Sequence, residues 1–340
     1  MAVAYLDRRT QELLAYRPEL TRRDDFDAFW EEMLDRTGRV PLDPVLERVD
    51  YPNPRLEVSA ISYHGYDETR IDGWLIRPLL PDLPQRIPCL VSYHGFNGHK
   101  GRVADFAAWA LLGMGVLSVD VREQRGTTGN AARYTSGSAT SVATKGLLDR
   151  YEYYYGAVYM DSVKAVDLAA GQSWVDPERI VVAGVSQGGG IATAVSALDD
   201  RPCLSMVHVP SNSNLERRTE IKVAAYSGTG AFGGVNEYLR EHPDKVDRVF
   251  ETLSYFDTMN MADRIAAPTL ASVALDDVVC PPECYFATYN RITAEKDMTV
   301  YPFCGHGDAR GEQVEKQIRY LSERVLSAGG RGGAGRSGRA

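Results

Sequence analysis

The spacing of apolar positions changes along the chain. In "DDFDAFWEEMLDR", residues 24–36, Phe26, Phe29, Trp30, Met33 and Leu34 recur at helical spacing, so the stretch predicts an amphipathic helix. "LEVSAISYHG" and "IDGWLIRP" alternate instead and are joined by the turn-like "YDET", which predicts an antiparallel pair of strands. After Pro88 short apolar runs recur: "CLVSYHG", "GVLSVDV", "RIVVAG", "LSMVHV", "TLASVAL" and "MTVYPF". Helical patterns separate most of them, among them "VADFAAWALL", "MDSVKAVDLAAGQ" and the run that follows residue 186. Apolar strands alternating with helices predict a largely parallel sheet covered on both faces. A last helix from about residue 312 to 326 aligns Val314, Ile318, Leu321 and Val325 in one stripe.

Residues 212–263 break this rhythm and contain no further strand of the series. They predict a helical insertion over the carboxyl ends of the strands, where such sheets bind ligands, with plain structural filler as the alternative. The whole reads as one domain over 1–327, with 1–80 as an N-terminal extension carrying the antiparallel strands. The tail 328–340, "AGGRGGAGRSGRA", predicts disorder.

Composition narrows the functional classes. Of 340 residues, 44% are hydrophobic and 25% charged, the balance of a globular protein. The net charge of -8 gives no general attraction to nucleic acid or anionic membrane. The segment "MAVAYLDRRTQELLAY" lacks the apolar core of a signal peptide, and the longest apolar run, Phe106 to Val119, is too short to span a bilayer. Five scattered cysteines are expected as reduced thiols in a cytoplasmic protein. The pair in "CPPEC" fits neither a metal nor a redox motif by its spacing.

The chemistry is carried by "VVAGVSQGGG", residues 181–190. "GVSQG", Gly184 to Gly188, is the G-x-S-x-G nucleophile elbow, with a strand before it and a helix after it. Glycines on either side allow the tight turn that lifts Ser186 out of the sheet, at the positive end of the next helix. A serine needs a base, and the elbow predicts an acid and then a histidine further along the chain. Asp276 and Asp277 follow "TLASVAL", and His306 follows "MTVYPF" just before the last helix. His306 would take the serine proton while one of the two aspartates orients its ring. Oxyanion donors are expected from the amide of Gln187 and from the glycine-rich loop in "LVSYHGFNGHKG". His94 and His99 lie in that loop, but no carboxylate-rich partner set accompanies them, so a metal site is not expected.

With these residues laid out, the chain resembles carbohydrate esterase family 7, the acetyl xylan esterases and cephalosporin-C deacetylases. The resemblance runs through "FDAFWEEML", "DGWLIRP", "YHGFNG", "RIVVAGVSQGGGIATAVSAL", "TLSYFDTMNMADR", "DDVVCPP" and "YPFCGHG". It implies an α/β-hydrolase fold and removal of acetyl groups from small sugars, short xylo-oligomers or cephalosporin-like esters, with no metal or other cofactor. It implies Ser186 as nucleophile, Asp277 (counted back from "CPP") as orienting acid, His306 as base, and the backbone of Tyr93 and Gln187 as oxyanion donors. Many members are hexamers whose sites face an internal chamber, so a homo-oligomer acting on a small-molecule ester is expected. The family's R-G-Q-G is here "REQRG", with Glu123 and Arg125 in place of glycines, and its glutamate after the histidine is Gly307. Both departures bear on substrate preference and assembly. The competing readings are a deacylase or thioesterase using the same triad, and a non-catalytic binding protein on a hydrolase fold. A peptidase would need a propeller or large cap that this length does not hold.

Overall fold

The computed structural model describes residues 2–221 and 231–327. The expected tail therefore lies outside the described residues. Nine strands form one sheet in the order β1-β2-β3-β5-β4-β6-β7-β8-β9. They are β1 (Val45–Val49), β2 (Leu56–His64), β3 (Arg70–Pro78), β4 (Ile87–Tyr93), β5 (Gly115–Val119), β6 (Val175–Val185), β7 (Pro202–His208), β8 (Thr269–Ala274) and β9 (Lys296–Tyr301). The pairs β1–β2, β2–β3 and β3–β5 are antiparallel, and every pair from β5 through β4 to β9 is parallel. This is the largely parallel sheet that the alternating runs predict and the α/β-hydrolase arrangement that the resemblance implies. The "LEVSAISYHG"/"IDGWLIRP" pair closes in register from Leu56↔Pro78 to His64↔Arg70.

Successive strand residues face opposite layers, because a strand turns its side chains with a period of two. In β6, Ile180 and Val182 enter one core cluster and Val181 the other. The larger layer holds α2 (Phe26–Arg39), α4 (Tyr154–Ala170), α5 (Gln187–Leu198), α8 (Val246–Phe256) and α9 (Pro282–Tyr289). The opposite layer holds α3 (Ala107–Leu111) and α10 (Arg310–Leu321), which runs on into a π-helical turn, Ser322–Leu326. Leu321 and Val325 are buried there, with Val314 and Ile318 packed beside them, as the stripe predicts.

Two elements were not legible. Helix α1 (Ala2–Leu14) mixes apolar and charged positions, and only Leu13 is buried among its described side chains. Strand β1 is an exposed edge strand with four of its five residues exposed, so neither face gave an alternating signal. Helix α4 begins earlier than its sequence pattern because nearly every residue in it is buried, and a helix apolar all round has no stripe to read.

The insertion carries α6 (Leu215–Glu220), α7 (Ala231–Glu241) and α8, and no strand among its described residues. Asp257, buried at its base, accepts hydrogen bonds from the amides of Asn214 (2.8 Å), Leu215 (2.7 Å) and Met259 (2.9 Å). The Arg218 guanidinium donates to the Val279 carbonyl at 2.9 Å. These bonds lay α6 beside the loop that leaves β8, over the carboxyl end of the sheet.

Candidate active site

Ser186 sits between β6 and α5 with φ 59° and ψ -120°, a backbone conformation that non-glycine residues rarely adopt. Its amide donates to His208 O at 2.9 Å, and its carbonyl accepts from Gly190 (3.0 Å) and Ser211 (3.0 Å), so the surrounding ladder holds the turn in place. The flanking glycines are sterically required. A methyl on Gly184 would stand 2.2 Å from the backbone of Gly188, and one on Gly188 would stand 2.0 Å from Tyr93 O. The turn leaves the amide of Gln187 at the first position of a twelve-residue helix, without an intrahelical acceptor and at its positive end.

His306 Nδ1 hydrogen-bonds Asp277 Oδ2 at 2.7 Å. Asp277 is fully buried in its side chain, and its other oxygen accepts from the amides of Val279 and Cys280, both at 2.8 Å. Asp276, one residue earlier, is exposed. The alternative left open by the two adjacent aspartates therefore resolves onto Asp277, which can face His306 only because its neighbour on the chain faces away. With Nδ1–H donated to the carboxylate, Nε2 of His306 carries a lone pair. Ser186 Oγ lies 3.9 Å from Cys280 Sγ. In free serine hydrolases the serine–histidine bond is commonly long and tightens when substrate binds. Burial, with Asp277 close by, pushes the Cys280 thiol up, so it stays protonated beside the serine. Burial likewise pushes Cys284 up to about 12.

Tyr93 is not where the family pattern implies. It is the last residue of β4, paired with Val119 on one side and Gly184 on the other, so its amide lies in the plane of the sheet. The next turn is what approaches the serine. A methyl on Gly95 would stand 3.8 Å from Ser186 Cβ. The Asn97 amide is taken by Gln124 Oε1 at 2.7 Å, so the turn's amides at Gly95 and Phe96 are the candidates for the loop donor. The loop histidines are structural. His94 accepts from the Val121 amide through Nε2 (2.8 Å) and donates from Nδ1 to Gly95 O (2.8 Å), and burial lowers its pKa in keeping with a neutral ring. His99 Nδ1 accepts from the Gly101 amide at 3.0 Å.

The residues after β5 answer to the altered "REQRG". Arg122 is fully buried and forks onto Asp161 (2.7 and 2.8 Å) and Asp67 (2.8 and 3.0 Å). Burial opposes its charge, but the two carboxylates outweigh that and hold the guanidinium above its ordinary pKa. Glu123 has φ 56°, the left-handed region that suits the glycine of the family pattern. Its carboxylate binds Lys145 and, at 2.7 Å, Asn130 Nδ2. Arg125 is exposed, and Gly307 has φ 86° with open space beside it. Tyr153, Tyr154 and Tyr155 are buried in the core and do not line an entrance. The Tyr155 hydroxyl nevertheless donates to Gln187 Oε1 at 2.9 Å, a role that the sequence pattern did not signal.

Comparison with known proteins bears on the family and the fold. The sequence model of the acetyl xylan esterase family matches residues 3–324. The acetyl esterase Axe7A of Xylanibacter ruminicola is 26% identical over 323 residues, covering 91% of this chain and 69% of that protein. The acetyl xylan esterase from Paenibacillus sp. R4 superposes with a TM-score of 0.87 at 36% identity, over 92% of this chain and 98% of its own. Acetyl xylan esterase 1 from Thermoanaerobacterium sp. JW/SL YS485 does so with a TM-score of 0.84 at 27% identity, over the same shares.

Proposed function

The chain belongs to the acetyl xylan esterase family, and on that premise we propose that Ser186, His306 and Asp277 remove acetyl groups from small acetylated carbohydrates through a covalent acetyl-enzyme. The observation that carries the residue roles is the 2.7 Å bond from His306 to buried Asp277, on the strand ends next to the Ser186 elbow. The enzyme class, a serine carboxylic-ester hydrolase, is that of the family.

The reaction follows from the positions. Ser186 Oγ attacks the acetyl carbonyl carbon as its proton passes to His306 Nε2. Asp277 keeps the ring in the Nδ1–H tautomer and balances the imidazolium. The negative charge that develops on the former carbonyl oxygen meets the Gln187 amide, the α5 terminus and an amide of the Gly95–Phe96 turn, in place of Tyr93. Collapse expels the sugar oxygen, which takes the proton from Nε2, and the acetyl group remains bonded to Ser186 Oγ as an ester. Water then attacks this ester, giving its proton to Nε2. The second tetrahedral intermediate releases acetate and returns the proton to Ser186 Oγ. The chain needs no other group for these steps.

A cytoplasmic setting is the expectation from the scattered cysteines and the N-terminal segment, and the other finer expectations rest on the resemblance: a homo-oligomer, hexameric in many relatives, that takes acetylated sugars, xylo-oligosaccharides or cephalosporin-C-like esters and excludes polymeric xylan. The test is p-nitrophenyl ester hydrolysis from acetyl to octanoyl, with acetylated sugars and intact xylan as natural substrates and light scattering after size exclusion. A preference for acetyl in an oligomer supports the reading; a monomer preferring octanoyl esters refutes it. Ser186→Ala should fold as the parent does and lose fluorophosphonate labelling and turnover. Near-normal turnover would remove Ser186 from its role.

A further inference from the structure

We propose that Gln124 is a positioning residue that ties the Gly95–Asn97 turn to Gln187 and so fixes the distance between the two walls of the oxyanion hole. The proposal rests on the oxyanion assignment above. The two side-chain amides face each other reciprocally: Gln124 Nε2 donates to Gln187 Oε1 at 2.9 Å, and Gln187 Nε2 donates to Gln124 Oε1 at 3.2 Å. Each amide then reaches outward from the pair. Gln124 Oε1 accepts from the Asn97 amide at 2.7 Å, and its Nε2 donates to the Tyr154 hydroxyl at 3.1 Å. Gln187 Oε1 accepts from Tyr155, and its Nε2 reaches His94 O at 3.5 Å. Thus both donors and two acceptor positions of Gln124 are used, and each bond ends on the oxyanion turn, on the residue that supplies the elbow amide, or on α4.

The turn holding Gln124 is itself fixed. Arg122 is clamped by two carboxylates, and its carbonyl accepts from the Tyr154 hydroxyl at 2.5 Å. Glu123 is held by Lys145 and Asn130, and its amide donates to Thr128 O at 3.1 Å. Gln124 therefore extends from a rigid base, and its amide is the only group in that turn that touches both walls among the described residues. Gln187 is buried, so its side chain cannot find water as an alternative partner. Without Gln124 the Gly95–Asn97 turn keeps its covalent connection to β4 but loses the tie through the Asn97 amide, leaving only the 3.5 Å contact of Gln187 Nε2 with His94 O. A displacement of the order of 1 Å between donors and reacting carbonyl is enough to slow such a reaction about 100-fold.

The test compares Gln124→Met, Gln124→Glu and Arg125→Ala with the parent. Arg125→Ala changes an exposed side chain of the same segment and should behave as the parent. Gln124→Met keeps length without hydrogen bonds and should lower kcat for p-nitrophenyl acetate roughly 100-fold with KM within about threefold. Gln124→Glu keeps the acceptor for Asn97 but sets a negative carboxylate against Gln187 Oε1 and near the developing oxyanion, and should lose at least as much. Phenylboronic acid, which forms a tetrahedral anionic adduct with the serine, should lose affinity in step with kcat/KM, with melting temperatures close to the parent's. A kcat for Gln124→Met within threefold of the parent, boronate affinity unchanged while kcat falls, or an equal loss from Arg125→Ala would each overturn the proposal. Failure of the serine-esterase reading itself is separable: the parent would then not be labelled at Ser186 by a fluorophosphonate.

Discussion

Replacing Asp277 by asparagine should disable the enzyme while sparing the fold, and the reason lies in the second oxygen of the carboxylate. Asp277 Oδ1 accepts from the amides of Val279 and Cys280, both at 2.8 Å, while Oδ2 faces His306 at 2.7 Å. An asparagine has one oxygen, and two buried backbone donors compete for it. Leaving both unpaired would cost about 1–3 kcal/mol each, so the side-chain oxygen stays on the loop and the NH2 turns to the imidazole. His306 must then accept at Nδ1 and carry its proton on Nε2, where it cannot receive the serine proton. By analogy with the serine-protease triad, this wrong tautomer lowers turnover on the order of 10,000-fold, a barrier increase of about 5 kcal/mol. The loop bonds persist, so stability should change by no more than about 2 kcal/mol. Asp276→Asn alters an exposed carboxylate and should stay within about threefold of the parent. Steady-state hydrolysis of p-nitrophenyl acetate, with urea denaturation of both variants, reads these quantities. Turnover of Asp277→Asn within tenfold of the parent, or a larger loss from Asp276→Asn, would refute the tautomer reasoning.

Three further outcomes follow from other contacts. Arg122→Leu strands buried Asp161 without its cation and should cost about 3–5 kcal/mol in urea unfolding; a loss under about 1 kcal/mol would mean that the pair does not hold this turn. His208 is buried against Ser272, and its pKa falls, mainly by desolvation, from 6.5 to about 4. Because the unfolded chain binds the proton more readily, the stability His208 contributes is whole above pH of about 6.5 and is lost as pH falls toward 4, up to about 3 kcal/mol. The difference in unfolding free energy between the parent and His208→Gln should therefore change by this amount across the window; parallel pH profiles would contradict it. Gly188→Ala would place a methyl 2.0 Å from Tyr93 O and should displace the elbow, lowering kcat about 100-fold or more, whereas parent-like kinetics would show that the elbow tolerates a side chain.

The sequence by itself determined what depends on neighbours along the chain. The period of two in "LEVSAISYHG", the apolar runs from "CLVSYHG" to "MTVYPF" and the stripe ending at Val325 each encode burial of a local face, and the sheet formed from them as patterned. Strand, glycine, serine and helix in succession likewise mark the Ser186 elbow, because the strain and the Gly184 clearance arise within five residues, although the Gly188 clearance is against Tyr93 O on β4. Elements without a contrasting face, the exposed β1 and the wholly buried start of α4, gave no period to read. Tertiary structure alone decided which atoms meet. Counting from a motif placed the oxyanion donor at Tyr93, but the direction of an amide is set by the strands on either side, and Val119 and Gly184 turn this one into the ladder. The choice of Asp277 over Asp276 became physical only with His306 brought to 2.7 Å from a point 29 residues away. The Gln124–Gln187 pair draws on residues 94–97, 124, 154–155 and 187, whose side chains carry no shared signal along the sequence. Hydrogen bonds between distant side chains depend on a few tenths of an ångström, and that precision exists only after the core has packed and fixed the backbone that carries them.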